Sequence, residues 1–167
     1  MHTPFTKITF STGPFWFLRV LLVVVLIPMV LIGIAFLVDA VYRPGWGSLF
    51  GLAWAGIAAW NAYWFLFRIA LRLTATPEYL EWQGVIRHGR IPISELRRLR
   101  PSVVGSNLEV IECADGTTVI VWVRRGFRAF CDALKELRPD LDVRLGWQAR
   151  AAEAWPTWWP MSGFRRS

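Results

Sequence analysis

The chain has 167 residues, 54% of them hydrophobic, and a positive mean hydropathy, which is high for a soluble domain of this size and makes a membrane protein the leading class. Its net charge of +7 rests on 17 arginines and two lysines against 12 acidic residues, and arginine's planar fork suits phosphate-rich surfaces such as lipid headgroups or nucleic acid. Residues 73–145 carry 11 basic and 10 acidic side chains, a net of +1, so the excess lies beside apolar flanks, which argues against a nucleic-acid-binding domain.

Residues 1–72 read as a two-span transmembrane hairpin, with spans at about 15–38 and 47–68. Residues 20–38 form a run of 19 without a charge, and at about 1.5 Å per residue such a helix matches the hydrocarbon thickness. The run exceeds a signal peptide's apolar region of about 7–15 residues, and Val38-Asp39-Ala40 fits a cleavage site poorly. Pro28 removes one backbone donor and predicts a kink that a membrane helix tolerates. In the second span Gly51, Ala55, Ala58, Ala59 and Ala62 share one helical stripe on which the first span can approach closely. Asn61 is that span's one strongly polar interior residue and a candidate interhelical contact; a transport path would need several such groups.

The connection, residues 39–46, is nearly neutral, with Pro44-Gly45 for its turn and Tyr42 and Trp46 at interface level. Lys7 and Arg19 precede the first span, and Arg68 and Arg72 follow the second. By the positive-inside rule both termini face the cytoplasm. Cys113 and Cys131, with no CxxC and no histidine at metal-ligand spacing, read as buried reduced thiols, in keeping with that compartment.

From Leu73 the pattern becomes one of short alternating runs. LRLTAT and EYLEWQ predict two strands parted at Thr76-Pro77, and Gly84 ends the second. VIRHGRIPI places His88-Gly89 at a turn or bulge and Pro92 at an edge or strand end. ISELRRLRPSVV opens with a single turn and continues as a strand. Asp115-Gly116 joins Leu108, Val110 and Glu112, alternating with Glu109, Ile111 and Cys113, to the β-branched run of residues 117–123 in a clear hairpin. Phe127, Phe130, Cys131, Leu134 and Leu137 then recur at helical spacing before Pro139. The two phenylalanines are expected on the sheet face that carries Trp82 and Trp122. The fold class is thus α+β, a helical hairpin followed by an antiparallel sheet or barrel capped by a C-terminal helix.

Six or so short strands and one helix, with Thr76, Leu80, Arg90, Ile91, Pro92, Glu95 and Leu96 in a T-x-x-x-L, R-I-P-x-x-E-L arrangement, resemble the bacterial pleckstrin-homology-like (PH-like) domains that follow paired membrane spans. The resemblance covers roughly residues 70–140. It implies a binding or scaffolding domain at residues 73–145 on the cytoplasmic face of a multi-pass bacterial inner-membrane protein, with no catalytic residues to carry over. The first hairpin loop, residues 75–78, has no basic residue, so phosphoinositide recognition does not transfer.

No catalytic constellation, cofactor motif or metal-ligand cluster is legible; HExxH, GxSxG, GxxxxGK[ST] and GxGxxG do not occur. Glu109 and Glu112, three apart on a strand, point to opposite faces. The expectation is a non-enzyme whose partners are the bilayer, other membrane or cytoplasmic proteins and, in an oligomer, copies of itself, but not nucleic acid. Arg97, Arg98, Arg100, Arg124, Arg125 and Arg128 are candidate lipid or partner contacts, set against the plainer reading of a solvated face balanced by Glu95, Glu109, Glu112 and Asp132. The alternative function is an accessory subunit of a transporter or envelope-synthesis complex in which Asn61 and Pro28 matter to the path.

Residues 146–167 form a tail rich in Trp, Pro and Arg. Trp155, Trp158, Trp159 and Phe164 suit the headgroup boundary, and Arg150, Arg165 and Arg166 suit anionic lipid. Pro156 and Pro160 exclude a regular helix, so the tail reads as an irregular interfacial strap, set against a disordered tail or tryptophans packed on the sheet.

Overall fold

The computed structural model describes residues 7–13, 15–43, 45–103, 107–153 and 163–166. Its first apolar run forms one long helix, α1 (Phe15–Tyr42), with Pro28 inside it, and the second forms α2 (Trp46–Tyr63). Between them the Arg43 N–H donates to the Asp39 carbonyl (2.8 Å), and the Gly45 N–H donates to Ser48 Oγ (3.1 Å), which donates to the Arg43 carbonyl (3.0 Å). These bonds satisfy one carbonyl in the last turn of α1 and tie the first turn of α2 back to the connection. The small-residue stripe does bring the helices together: a Cβ on Gly51 would lie 2.8 Å from Phe36 Cβ, and one on Gly33 would lie 3.2 Å from Ala55 Cα. Ala58 is buried in the same seam, whereas Ala59 is exposed. The stretches Arg19–Tyr42 and Trp46–Arg68 are long and apolar enough to cross a membrane.

No loop separates the helical hairpin from the sheet. After α2 the chain widens into a π-helical turn, Trp64–Arg68, and Ile69 is already extended as the first residue of β2 (Ile69–Ala75), four residues earlier than the sequence pattern changes. The other strands are β1 (Ile8–Ser11), β3 (Tyr79–Gly84), β4 (His88–Pro92), β5 (Leu96–Pro101), β6 (Leu108–Cys113), β7 (Thr118–Trp122), β8 (Asp142–Val143) and β9 (Gly163–Arg166). They make one open sheet in the order β4-β3-β2-β7-β6-β5-β8, with β1 also on β2 and β9 on β1. The sheet is mixed rather than purely antiparallel, because β2 runs parallel to β7 and β5 parallel to β8. A 3-10 turn, Ile93–Glu95, precedes β5. Helix α3 (Phe127–Leu137) occupies the predicted amphipathic stretch, but it does not end the chain: β8, α4 (Trp147–Ala152) and β9 follow it.

Strand β2 holds the sheet together. One side carries β3, and the other carries β7 at Ile69 and Ala70, then β1 from Arg72 to Ala75. A register shift between Ala70 and Arg72 lets Ala70 and Leu73, three apart, both enter the main core, while Leu71 faces the opposite side. The Leu71 carbonyl accepts from Thr12 N–H (3.0 Å) and Thr12 Oγ1 (3.1 Å), so the distorted stretch keeps its hydrogen bonds.

The main core lies between one sheet face and α3. Phe10, Leu73, Leu80, Leu96, Leu99, Ile111, Val121, Phe127, Phe130 and Leu134 are fully enclosed there. Phe127 and Phe130 pack on Phe10 of β1, with ring centroids 5.1 and 6.0 Å away. Trp82 borders this core as expected, but Trp122 does not: it joins the second cluster, on the opposite face. The turn expected at His88-Gly89 falls instead at residues 85–87, closed by Gly84 N–H to the Arg87 carbonyl (2.7 Å), and His88 pairs with Gln83 inside the hairpin. Gly89 is needed there because the Trp82 indole covers it; a Cβ would meet the ring at 2.7 Å.

Candidate functional site

The second cluster joins the sheet to the base of the helical hairpin. Ile69, Leu71, Val85, Val110 and Ile120 from the sheet pack with Leu22 and Val23 of α1 and with Trp64, Phe65 and Leu66 of the π-helical turn. Between these surfaces opens a cleft of about 300 Å³, lined on the helical side by Trp60, Asn61, Trp64 and Phe65 and on the sheet side by Leu108 and Trp122. Phe65 meets Trp122 edge-on at 5.8 Å, and the Arg124 guanidinium lies 4.8 Å from the Trp122 ring centroid. The Trp64 indole N–H is buried without an acceptor, an open donor beside an apolar wall. A cleft of aromatic faces with a few polar groups suits binding of an amphipathic group. Among the described residues that line it there is no nucleophile and base pair.

Asn61 lines this cleft, but its amide bond is spent within its own helix: Nδ2 donates to the Ile57 carbonyl (2.8 Å), not to α1. The arginine candidates separate into three situations. Arg98 and Arg100 converge through their Nε atoms on Glu112, and the two guanidiniums hold the Glu112 carboxyl below the usual range. A second register shift, between Leu96 and Arg98, permits this arrangement, since it sends Leu96 and Leu99 into the core and leaves the arginines outside. Arg97 is exposed beside them, and its side chain makes no hydrogen bond or ion pair among the described residues. Arg124 belongs to the cleft through Trp122, Arg125 follows it, and Arg128 starts α3. The two arginine groups therefore sit on separate elements, β5 and the β7–α3 junction.

In the tail, Trp155, Trp158 and Trp159 lie outside the described residues. Residues 163–166 are not an irregular strap: they pair antiparallel with β1, Arg165 opposite Thr9 and Arg166 opposite Ile8, and Phe164 packs on the main core. The connection to this strand is held by two carboxylates. Glu109 Oε1 accepts the Gly146 N–H ahead of α4 (2.9 Å), and Glu153 Oε1, just after α4, accepts the N–H groups of Gly126 (2.9 Å) and Arg128 (3.4 Å) at the start of α3. Glu109 is only 2% exposed and its Oε2 has no partner. Burial pushes its carboxyl pKa up, against the Gly146 hydrogen bond that lowers it. Glu112 faces the other way, as their spacing requires.

Both cysteines are buried and unpaired. Burial pushes Cys113 up to about 11 and raises Cys131 well above its ordinary value, so neither is a thiolate nucleophile at neutral pH. Among the described residues no three His, Cys, Asp or Glu side chains gather as metal ligands. Sequence reasoning missed the cleft because its sheet-side wall depends on which face Trp122 occupies. The one available signal was the aromatic spacing of Trp60 and Trp64 at the end of the second span. Compared with known protein families, curated proteins and solved structures, the chain matches none.

Proposed function

We propose that this chain is a non-catalytic integral membrane protein that holds a PH-like binding or scaffolding domain against the cytoplasmic face of a bacterial inner membrane. One observation carries the reading: the strand before the first apolar helix, β1, pairs with the strand after the second, β2. The sheet is thus assembled from both ends of the helical hairpin and sits at its base, and the second cluster fills the junction. With basic residues Arg19, Arg68 and Arg72 at this end and a near-neutral turn at the other, the sheet end faces the cytoplasm. The PH-like assignment rests on the element order: β2-β3-β4 and β5-β6-β7 are two antiparallel three-stranded units, and an amphipathic helix follows. Edge strand β4, ending at Pro92, offers backbone groups for a partner strand. The internal bond of Asn61 counts against a transport path in this chain.

Site-specific photocrosslinking in the intact membrane tests the proposal. A photoreactive residue at Arg90 on β4 is expected to capture a cytoplasmic protein, and one at Leu52, exposed on α2, to capture lipid. A stoichiometric membrane-protein partner captured at Leu52 would place the chain in a transporter or envelope-synthesis complex instead.

A further inference from the structure

A second cleft of about 300 Å³ opens where the end of the π-helical turn meets β3 and the β6–β7 hairpin. Its walls come from three separate places: Phe67 and Arg68 at the end of the π-helical turn, Trp82 and Arg87 from β3 and the turn after it, and Thr117 and Thr118 from the β6–β7 hairpin. Among the described residues neither the Arg68 nor the Arg87 side chain forms an ion pair or hydrogen bond, unlike Arg90, Arg98, Arg100, Arg138 and Arg144, each of which holds a carboxylate. Two arginines without a carboxylate partner among the described residues therefore line one cavity, and their planar forks suit an oxyanion.

The remaining polar groups fit an oxyanion. Asp115, the nearby acidic residue on the hairpin turn, is held by Thr117, whose N–H (2.8 Å) and Oγ1 (2.6 Å) both donate to it. These bonds keep its carboxyl below the usual range and commit the Thr117 hydroxyl proton. Thr118, exposed at the start of β7, adds a neutral hydroxyl to the same wall. Gly116, with φ at 84°, has nothing within 4 Å of where its Cβ would be, so the mouth stays open.

The surroundings specify the source of the anion. Arg68 ends the apolar stretch Trp46–Arg68. Its neighbour Phe67 is 42% exposed, and Ile86, beside Arg87, is 51% exposed. Val85 in the same turn packs in the cluster with Leu22 and Val23 of α1, so the turn reaches the level of apolar helix surface. Guanidiniums flanked by outward aromatic and aliphatic side chains match a headgroup with its acyl chains rather than a freely diffusing ion. We propose that Arg68, Arg87 and Thr118 form a binding site for the phosphate of an anionic phospholipid. This site rests on the membrane-inserted reading above.

The test reconstitutes the full chain in bilayers containing spin-labelled phosphatidylglycerol or spin-labelled phosphatidylcholine and measures the motionally restricted lipid by electron paramagnetic resonance. The wild type is expected to retain phosphatidylglycerol preferentially, by up to about 30-fold if each arginine contributes about 1 kcal/mol. The double variant Arg68→Gln/Arg87→Gln is expected to lose that preference with unchanged thermal unfolding, since neither side chain holds a protein partner. Arg72→Gln, an exposed arginine of β2 outside the cleft, is expected to keep it. Equal retention of both lipids by the wild type, or equal loss in Arg72→Gln, would overturn the site. Stabilisation of the detergent-solubilised wild type by inorganic phosphate, without a lipid preference in bilayers, would assign the cleft to a free anion and overturn the lipid assignment. The absence of any restricted lipid would refute membrane insertion itself, a failure distinguishable from loss of headgroup selectivity.

Discussion

Replacing Phe10 with alanine tests whether β1 is what locks the sheet to the helical hairpin. The Phe10 side chain is 0% exposed and touches the rings of Phe127 and Phe130. Truncating a buried phenylalanine costs about 3–5 kcal/mol, within which two aromatic contacts account for about 0.5–1.5 kcal/mol each. β1 is four residues long, its backbone hydrogen bonds contribute only about 1 kcal/mol each, and Ile8 is its other core side chain, so the loss is a large part of what holds the strand. Hydrogen exchange of the full chain in bilayers is expected to accelerate by more than about a hundredfold at residues 8–11. The acceleration should extend to residues 163–166, which pair with the free side of β1, while β5 and β6 change less. Thr9→Ala, on the partly exposed face of the same strand, should cost about 0.5 kcal/mol or less. Unchanged protection of residues 8–11 in Phe10→Ala, or an equal effect of Thr9→Ala, would refute the claim that this ring anchors the strand.

Three further variants probe other parts of the fold. Glu109 has a raised carboxyl pKa through burial, so the folded state binds its proton more tightly than the unfolded chain does; the associated stability is complete below about pH 4.3, the ordinary glutamate value, and is lost as pH rises through the folded-state pKa. Glu109→Gln keeps an acceptor for the Gly146 N–H and is expected to raise the neutral-pH unfolding midpoint and flatten this dependence; a lower midpoint at neutral pH would show that the charge itself is needed. In the helix seam, Gly51→Leu must displace Phe36 and should cost about 1–3 kcal/mol in detergent thermal unfolding, whereas Gly56→Leu, with nothing within 4 Å, gains the same helix propensity without a clash. Equal midpoints for the two would mean that α1 and α2 do not pack through Gly51.

The candidate surfaces were legible only in part. The arginine clusters stand out in the sequence, but Arg98 and Arg100 are engaged by Glu112, whereas Arg68 and Arg87 line one cavity without a carboxylate partner among the described residues. Spacing along the chain could not distinguish these fates, because cross-strand pairing and a register shift decide which guanidinium meets a carboxylate. Arg68 and Arg87 lie in different segments and share a cavity only once the hairpin and the β3–β4 turn are packed together. The Asn61 amide, predicted to reach across helices, bonds back to Ile57 because a carbonyl four residues earlier is always within reach on a helix.

Elements whose stabilising pattern is local follow from the order of residues along the chain. Continuous apolar runs made α1 and α2, Asp115-Gly116 made the β6–β7 hairpin, and the 3.6-residue period with its enclosed Phe127, Phe130, Cys131 and Leu134 made α3. Tertiary structure decided what depends on distant partners. ITFS and GFRR are four-residue strands with no local turn to announce them, and each exists because an open strand edge is presented to it, β2 to the first and β1 to the second. Trp122 faces the helical hairpin rather than α3, although its side of the strand could not be fixed until the pairing was known, since one residue of register exchanges the two faces. The same register shifts place Leu71 at the junction and Leu99 in the core. Local pattern gives the pieces, but nonlocal pairing is what joins the two ends of the hairpin into one sheet.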